Sequence, residues 1–236
     1  MDSQHAAQQF WRQGFVHLPG FFPAALMDAV DHEVMAHFGM TPDFAHTEEF
    51  LAQAQVEVVP WFPQMAAGGH PLFEALDAYP GFAELTREVL GAQWQNLYSM
   101  VMFSKKGTTG QAWHQDCAPE DPLQFNLNRL VYASPILPEI GGEVVVMPGS
   151  HRAGLLSAGV PHENLDDQVI LRPGKGDLLL LHGHCWHRVL PVRDRYRYSI
   201  NHRAVTAGTP QDITDVCVYR NIRYRFSTAQ IIEHRV

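Results

Sequence analysis

Cysteine is scarce in this sequence, and its scarcity excludes two kinds of site. The chain has three cysteines, Cys117, Cys185 and Cys217. They are too few and too scattered for a disulfide framework or for a zinc site built from cysteine pairs. We interpret Cys117 and Cys185, which stand beside histidines, as small buried thiols.

Positively charged side chains are also few. The sequence has 17 basic side chains against 25 acidic ones, and its formal net charge is −8. Because phosphate binding depends on clustered lysine and arginine, this balance opposes a general role in nucleic-acid binding. We therefore expect no nucleic-acid partner.

Long apolar runs are missing as well. No stretch reaches the roughly 18 consecutive apolar residues that a membrane-spanning helix needs. The first residues, from Asp2 to Gln9, are mostly polar and lack the basic region and the apolar core of a secretory signal. These absences predict a cytoplasmic protein that does not enter a membrane.

The first part of the chain contains helical patterns. A length of 236 residues suits one domain, which we predict to span 1–236. Periodic apolar residues predict helices over Gln4–Arg12, Pro23–Phe38 and Gly81–Leu90, and Phe15–Leu18 reads as a strand. Prolines interrupt the stretch Thr41–Gly69, which we predict to be a loop or lid.

From Trp94 onward, short runs rich in valine, leucine and aromatic residues alternate with glycine and proline, which is typical of strands. The predicted strands are Asn96–Ser104, Leu127–Leu137, Glu143–Met147, Val169–Leu171, Asp177–His182, Trp186–Leu190 and Tyr196–Thr206. Helices first and many strands afterwards predict a mainly β fold, an antiparallel double-sheet barrel with N-terminal covering helices.

A histidine and an aspartate two residues apart form the first candidate metal site. In an extended segment, residues i and i+2 point to the same face, so His114 and Asp116 can converge on one ion. A third ligand can come from the histidines that follow a buried strand downstream, which are His182, His184 and His187. Two histidines and one carboxylate on one face of an octahedron leave three open positions, as in non-haem iron(II) oxygenases.

Arginines at alternate positions follow the histidine cluster. Arg193, Arg195 and Arg197 lie on a predicted strand, where they share a face. A guanidinium directed into a barrel can bind a carboxylate through two parallel hydrogen bonds. The alternative is that all three line a solvated edge.

Together, these segments resemble the phytanoyl-CoA dioxygenase family of iron(II)- and 2-oxoglutarate-dependent oxygenases. The motifs that carry the resemblance are FWRQGFVHLPGFF at 10–22, WHQD at 113–116, GGEVVVMPGSHR at 141–152, GKGDLLLLHGHCWHRVLP at 174–191 and RYSINHRA at 197–204. They stand in the order in which the family has them. The fold that the resemblance implies is a double-stranded β-helix, also called a jelly roll, of the cupin-like kind.

The resemblance also implies roles for individual residues. His114, Asp116 and His187 match the metal ligands, whereas His182 matches a position that orients its neighbours. His184 remains a surface or pocket histidine. The arginine that binds the distal carboxylate of 2-oxoglutarate matches Arg197 after a gap of one residue, so Arg195 stays an alternative, and Lys105 resembles a further position that contacts the co-substrate.

The implied activity is that of a dioxygenase that uses Fe(II), 2-oxoglutarate and O2. It would decarboxylate 2-oxoglutarate to succinate and oxidise, most often hydroxylate, a small-molecule metabolite of a biosynthetic pathway. The candidate substrate contacts are Trp61, Phe62, Met65, Phe125, Asn126 and Asn128. Two alternatives remain, a metal-dependent hydrolase or lyase and a non-enzymatic small-molecule-binding protein. The oligomeric state is left open.

Overall fold

In the computed structural model of the protein, two antiparallel sheets face each other, and helices cover the outer side of one sheet. The structure describes residues 2–40, 48, 51, 56–65, 68–225 and 234–235. Much of the predicted loop Thr41–Gly69 lies outside the described residues. No helix in the described part of the chain is long and apolar enough to cross a membrane.

Local sequence signals explain where the helices begin and end. The main helices are α1 (Ser3–Gln13), α2 (Ala24–Met40), α3 (Pro71–Asp77) and α4 (Pro80–Leu90). The Asp2 side chain accepts a hydrogen bond from the backbone N–H of His5 and caps α1, which ends at Gly14 in a left-handed conformation. Both α3 and α4 begin with a proline, whose missing N–H costs nothing in the first turn.

The strands form a six-stranded and a seven-stranded sheet. The strands are β1 (Phe15–Leu18), β2 (Val59–Trp61), β3 (Gln95–Lys105), β4 (Gln111–Gln115), β5 (Asn126–Val131), β6 (Val144–Val146), β7 (Val169–Leu171), β8 (Leu178–His182), β9 (His187–Val189), β10 (Tyr196–Val205), β11 (Val216–Tyr219), β12 (Ile222–Arg225) and β13 (His234–Arg235). The first sheet has the order β1-β8-β5-β10-β3-β2, and the second has the order β13-β12-β11-β4-β9-β6-β7.

The strand β8 shows how the core is divided. Alternate side chains point to opposite faces of a strand, so Leu178 and Leu180 pack under the helices, while Leu179 and Leu181 face the space between the sheets. All four leucines are fully buried. The apolar face of α2, which the sequence predicted, packs on the same outer core.

The prediction of a jelly roll with N-terminal covering helices is confirmed by this topology. The predicted helices over Gln4–Arg12, Pro23–Phe38 and Gly81–Leu90 correspond to α1, α2 and α4. The short helix α3 and the strands β2, β11, β12 and β13 were not predicted, and β2 lies within the predicted loop Thr41–Gly69. The predicted strand Leu127–Leu137 was too long, because β5 ends at Val131.

Candidate metal centre

Three side chains of the predicted metal site lie together between the sheets. His114 belongs to β4, Asp116 is the residue directly after the end of β4, and His187 is the first residue of β9. The two strands are antiparallel neighbours, and their register places His114 opposite His187. All three residues are buried, and their candidate ligand atoms lie within 4.8 Å of one another.

The carboxylate of Asp116 faces both imidazoles. Its Oδ1 lies 3.7 Å from Nε2 of His114, and its Oδ2 lies 3.4 Å from Nε2 of His187. In the part of the chain that the structure describes, no other set of three or more histidine, cysteine or acidic side chains has such spacing.

Backbone carbonyls determine which nitrogen of each imidazole is available. Nδ1 of His114 lies 2.8 Å from the carbonyl oxygen of Ala112, and Nδ1 of His187 lies 2.9 Å from that of Cys185. Since a carbonyl oxygen can only accept, each Nδ1 carries the proton and donates. The lone pair of each Nε2 is therefore directed towards the shared site, as metal binding requires.

The electrostatics of the site favour a neutral histidine and an ionised aspartate. Burial lowers the pKa of His114 to about 3, and the nearby His187 acts in the same direction. Burial alone would raise the pKa of Asp116, but Arg203, the two histidines and a hydrogen bond from Asn128 together hold it below its usual value. Neutral imidazole and carboxylate are the protonation states that bind metal ions.

This donor set fits iron(II). Two imidazole nitrogens and one carboxylate from one side leave the remaining positions of an octahedron free, which is the arrangement of non-haem iron(II) oxygenases. The ring of Tyr219 stacks on His114 with a centroid distance of 4.9 Å and further fixes its orientation.

The segment that leads into His187 is held by the turn after β6. The Ser150 hydroxyl donates to the carbonyl oxygen of Met147 and accepts from the backbone N–H of Trp186, at 2.7 and 2.8 Å. The turn that contains Ser150 therefore has a structural role, because it helps to position His187, the residue after Trp186.

A cavity between the sheets contains the three candidate ligands and the inner face of β10. The residues of β10 that line it alternate along the strand and are Arg197, Ser199, Asn201 and Arg203. The other half of its lining, towards the described part of the predicted lid, is mainly apolar and includes Val56, Val58, Pro60, Phe62 and Met100.

Arg197 reaches the cavity from a buried position. Its Nε donates to the carbonyl oxygen of Gly142 at 3.1 Å, and burial lowers its pKa, an effect that the nearby Tyr132 opposes. Gly142 has a φ of 76°, and a Cβ atom at this position would lie 2.7 Å from Cγ of Arg197. The glycine is thus required both by its own backbone and by the arginine beside it.

The structure separates the other two candidates for co-substrate binding from this cavity. Arg195 is not on the strand with Arg197, as the sequence had suggested, but in the preceding turn, with a φ of 53° and a side chain 76% exposed. Lys105, at the end of β3, is also exposed and lies outside the cavity as the described residues form it. The expectation that Arg195 shares an inward face with Arg197 was therefore wrong.

His182 and His184 lie in a different cluster. His182 stacks on Phe125 at a centroid distance of 3.8 Å, and its Nδ1 accepts a hydrogen bond from the backbone N–H of His184. Burial lowers the pKa of His182 to about 2 and that of His184 to about 4. His184 is buried, which excludes the first of the two predicted positions, on the surface or in a pocket.

Only some of the predicted substrate contacts line the cavity. Phe62 and Asn128 line the cavity. Trp61 instead stacks on His37 of α2 at 4.0 Å, and Met65 is 54% exposed. Asn126 supports Asn128 through an amide hydrogen bond of 2.9 Å, and Phe125 packs on His182.

Besides Tyr219, two residues that sequence reasoning missed lie at the site, Arg203 and Tyr98. Arg203 donates to Asp116, and Tyr98 accepts a hydrogen bond from Arg203. Arg203 could have been found from the alternation along β10, because side chains at every second position after Arg197, which are 199, 201 and 203, point to the same face. The sequence contained no signal for Tyr98, whose contact depends on the register between β3 and β10.

Comparisons with known proteins agree with this architecture. The family model of phytanoyl-CoA dioxygenase (PhyH) matches residues 10–193. No curated protein matches the chain. Among solved structures, the carbocyclase SnoK from nogalamycin biosynthesis is 17% identical, with a TM-score of 0.67 over 92% of this chain and 86% of that one.

Two further structures were solved with ligands. HygX from Streptomyces hygroscopicus, with nickel and 2-oxoglutarate bound, is 16% identical over 86% of this chain and 87% of that one, with a TM-score of 0.66. The epimerase SnoN, in complex with Fe3+, alpha ketoglutarate and nogalamycin RO, is 19% identical over 92% of this chain and 86% of that one, with a TM-score of 0.59. At these identities the likeness establishes the fold, whereas the family model covers most of the chain. The chain therefore belongs to the phytanoyl-CoA dioxygenase family of iron(II)- and 2-oxoglutarate-dependent oxygenases.

Proposed function

We propose that the protein is a dioxygenase that binds iron(II) through His114, Asp116 and His187, consumes 2-oxoglutarate and O2, and hydroxylates a small organic molecule. The observation that carries the proposal is the buried donor set, in which both free Nε2 atoms and the carboxylate of Asp116 face one point. When bound there, iron(II) would supply the reduction of O2 that is coupled to decarboxylation of 2-oxoglutarate to succinate.

Arg197 is the residue that we assign to the far carboxylate of 2-oxoglutarate. It is buried in the same cavity, and no acidic side chain of the described residues forms an ion pair with it. A buried guanidinium is stabilised by an anion that accepts two parallel hydrogen bonds. Arg195 and Lys105, both exposed, are weaker candidates for this role.

Ser199 supports the same placement of the co-substrate. It is the next inward residue of β10 after Arg197, is fully buried, and its hydroxyl has no hydrogen-bond partner among the described residues. A buried hydroxyl without a partner is costly, so a polar ligand beside it would satisfy it. The co-substrate would extend from Arg197 past Ser199 towards the three ligands.

The apolar part of the cavity is the place that we propose for the substrate. Val56, Val58 and Phe62 would exclude water from the reacting carbon and orient it by packing. The described relatives support a small-molecule substrate, since HygX was solved with hygromycin B and SnoN with nogalamycin RO. Hydroxylation is our assignment, although SnoN is an epimerase and SnoK a carbocyclase, because hydroxylation needs no second reacting group on the substrate.

The test is to load the purified protein with iron(II) under anaerobic conditions and add 2-oxoglutarate, O2 and members of a metabolite library. We expect some compounds to stimulate succinate release and to gain one oxygen atom in mass. Succinate release without O2, or conversion of a compound without 2-oxoglutarate, would contradict the proposal. Conversion with zinc alone would indicate a hydrolase or lyase instead.

A further inference from the structure

Arg203 is buried in the cavity and contacts a candidate metal ligand directly. Its Nη2 donates to Oδ1 of Asp116 at 3.1 Å, and its Nη1 donates to the hydroxyl of Tyr98 at 2.7 Å. The guanidinium also lies 5.5 Å from the centre of the Tyr98 ring. Arg203 therefore has two defined hydrogen bonds at fixed directions rather than a mobile, solvated side chain.

The second oxygen of the same carboxylate has a donor of its own. Nδ2 of Asn128 donates to Oδ2 of Asp116 at 2.7 Å. The orientation of Asn128 is fixed in turn, because its Oδ1 accepts from the amides of Asn126 and Asn201 at 2.9 and 2.8 Å. Both oxygens of Asp116 are thus held by side chains on β5 and β10, across the cavity from the sheet that carries the ligands.

Tyr98 connects Arg203 with the outer part of the cavity. Its hydroxyl accepts from Arg203 and has its proton free to donate to Oγ1 of Thr214 at 3.0 Å. Phe62 packs edge-on against the ring of Tyr98 with a centroid distance of 5.8 Å. Thr214 and Phe62 both line the cavity, and Phe62 belongs to the part that we assign to the substrate.

We propose that Arg203 is a positioning residue that fixes the direction of the Asp116 carboxylate for metal binding, and that Tyr98 holds Arg203 in place. This inference rests on the proposed function, since it concerns the same metal site. Two effects of Arg203 oppose each other. Its positive charge near a site for a cation weakens metal binding, whereas its hydrogen bond keeps the carboxylate directed at the site. The proposal is that the second effect is the larger one.

Two substitutions of Arg203 distinguish these effects. Arg203→Met removes the charge and the hydrogen bonds, and Arg203→Lys keeps the charge but cannot make both contacts from one nitrogen in the same geometry. We expect both variants to bind Mn(II) about 10- to 100-fold more weakly than the unaltered protein in titration calorimetry without 2-oxoglutarate. If charge were dominant, Arg203→Met would bind Mn(II) more tightly and Arg203→Lys would bind it equally well. Mn(II) binding by Arg203→Met at or above the original affinity would overturn the proposal.

Tyr98→Phe is the milder variant and tests the second half of the proposal. It removes only the hydroxyl that accepts from Arg203, so we expect a smaller loss of Mn(II) affinity in the same direction. An unchanged dissociation constant would show that Tyr98 does not hold Arg203 in place.

Arg220→Met is the matched control. Arg220 is another buried arginine with an ion pair, to Glu163 at 2.5 Å, but it contacts none of the three ligands. We expect it to bind Mn(II) like the unaltered protein; an equal loss would mean that any lost arginine pair weakens the site, and the proposal would fail. The failure of the proposed function would look different, because the unaltered protein would then bind no Mn(II), or would bind it and yet release no succinate from 2-oxoglutarate, whatever the Arg203 variants do.

Discussion

At the scale of single residues, the site depends on hydrogen bonds that fix the orientation of each candidate ligand. His114 and His187 each use Nδ1 for a backbone carbonyl, and Asp116 is oriented by Arg203 and Asn128. These contacts limit the rotation of the three side chains before any metal binds. Preorganisation of this kind lowers the entropic cost of binding an ion.

Removal of a ligand is the simplest prediction at this scale. We expect His114→Ala and Asp116→Ala each to weaken metal binding at least about 10- to 100-fold and to abolish succinate formation. Metal content after dialysis and succinate release measure the two effects. His32→Ala, which removes an exposed histidine, is the control and should retain both. Normal turnover by either ligand variant would contradict the assignment of the site.

Arg197 gives a second prediction. We expect Arg197→Ala to raise the KM for 2-oxoglutarate about 10- to 100-fold, since a hydrogen bond to a charged group contributes roughly 1.5–3 kcal/mol. Metal binding should change little, because Arg197 has no hydrogen bond to a candidate ligand.

Arg195→Ala is the matched control for Arg197→Ala. It removes an arginine two positions earlier whose side chain is exposed. A raised KM for Arg195→Ala, with Arg197→Ala unaffected, would transfer the co-substrate role to the turn before β10.

At the scale of elements, the turn before β6 determines how deeply Arg197 can be buried. Gly142 packs directly on the aliphatic part of this arginine and has a left-handed backbone conformation. We expect Gly142→Ala to displace Arg197 and to raise the KM for 2-oxoglutarate, in addition to a loss of stability of about 1–2 kcal/mol from the positive φ.

Gly154→Ala separates the two effects of Gly142→Ala. Gly154 has a φ of 75°, close to that of Gly142, but no atom of the described residues lies within 4 Å of the position of its Cβ. We expect Gly154→Ala to lower the free energy of unfolding measured in urea without a change in the KM for 2-oxoglutarate. Equal KM values for both variants and the unaltered protein would show that Arg197 tolerates the added methyl group.

The elements also show the limits of sequence patterns. The helices α1, α2 and α4 were predicted because an apolar stripe with helical spacing is a local property. The strands β11 and β12 were not, because short strands are stabilised mainly by their neighbours in the sheet. Arg195 lies in a turn outside the strand because its φ is positive. An arginine in the sequence does not indicate a positive φ, as a glycine would.

At the scale of the whole molecule, buried neutral histidines make stability depend on pH. The folded pKa values of His114, His182 and His184 are about 3, 2 and 4, below the ordinary value of 6.5. The unfolded chain therefore binds more protons than the folded protein as pH falls below about 6.5. The contribution of these histidines to the free energy of unfolding is fully present above that pH and decreases progressively below it.

We expect the free energy of unfolding of the metal-free protein to fall between pH 6.5 and 5, by up to about 1.4 kcal/mol per pH unit for each of these histidines. Urea unfolding at several pH values measures the slope. His182→Gln should reduce it, whereas His32→Gln, at an exposed position, should leave it unchanged. A stability that is constant over this range would contradict the buried, neutral state of these histidines.

The sequence by itself determined the fold class, the family and the candidate pair His114 and Asp116, because amphipathic periodicity and i, i+2 geometry are local and the order of the motifs can be read along the chain. The tertiary structure placed His187 opposite His114, brought Arg197 into the cavity and left Arg195 outside it. It also decided that Arg203 and Asn128 hold Asp116, since these contacts join strands of facing sheets. Such contacts depend on strand register and sheet packing, which are set by the collapse of the whole chain and not by any short segment of it.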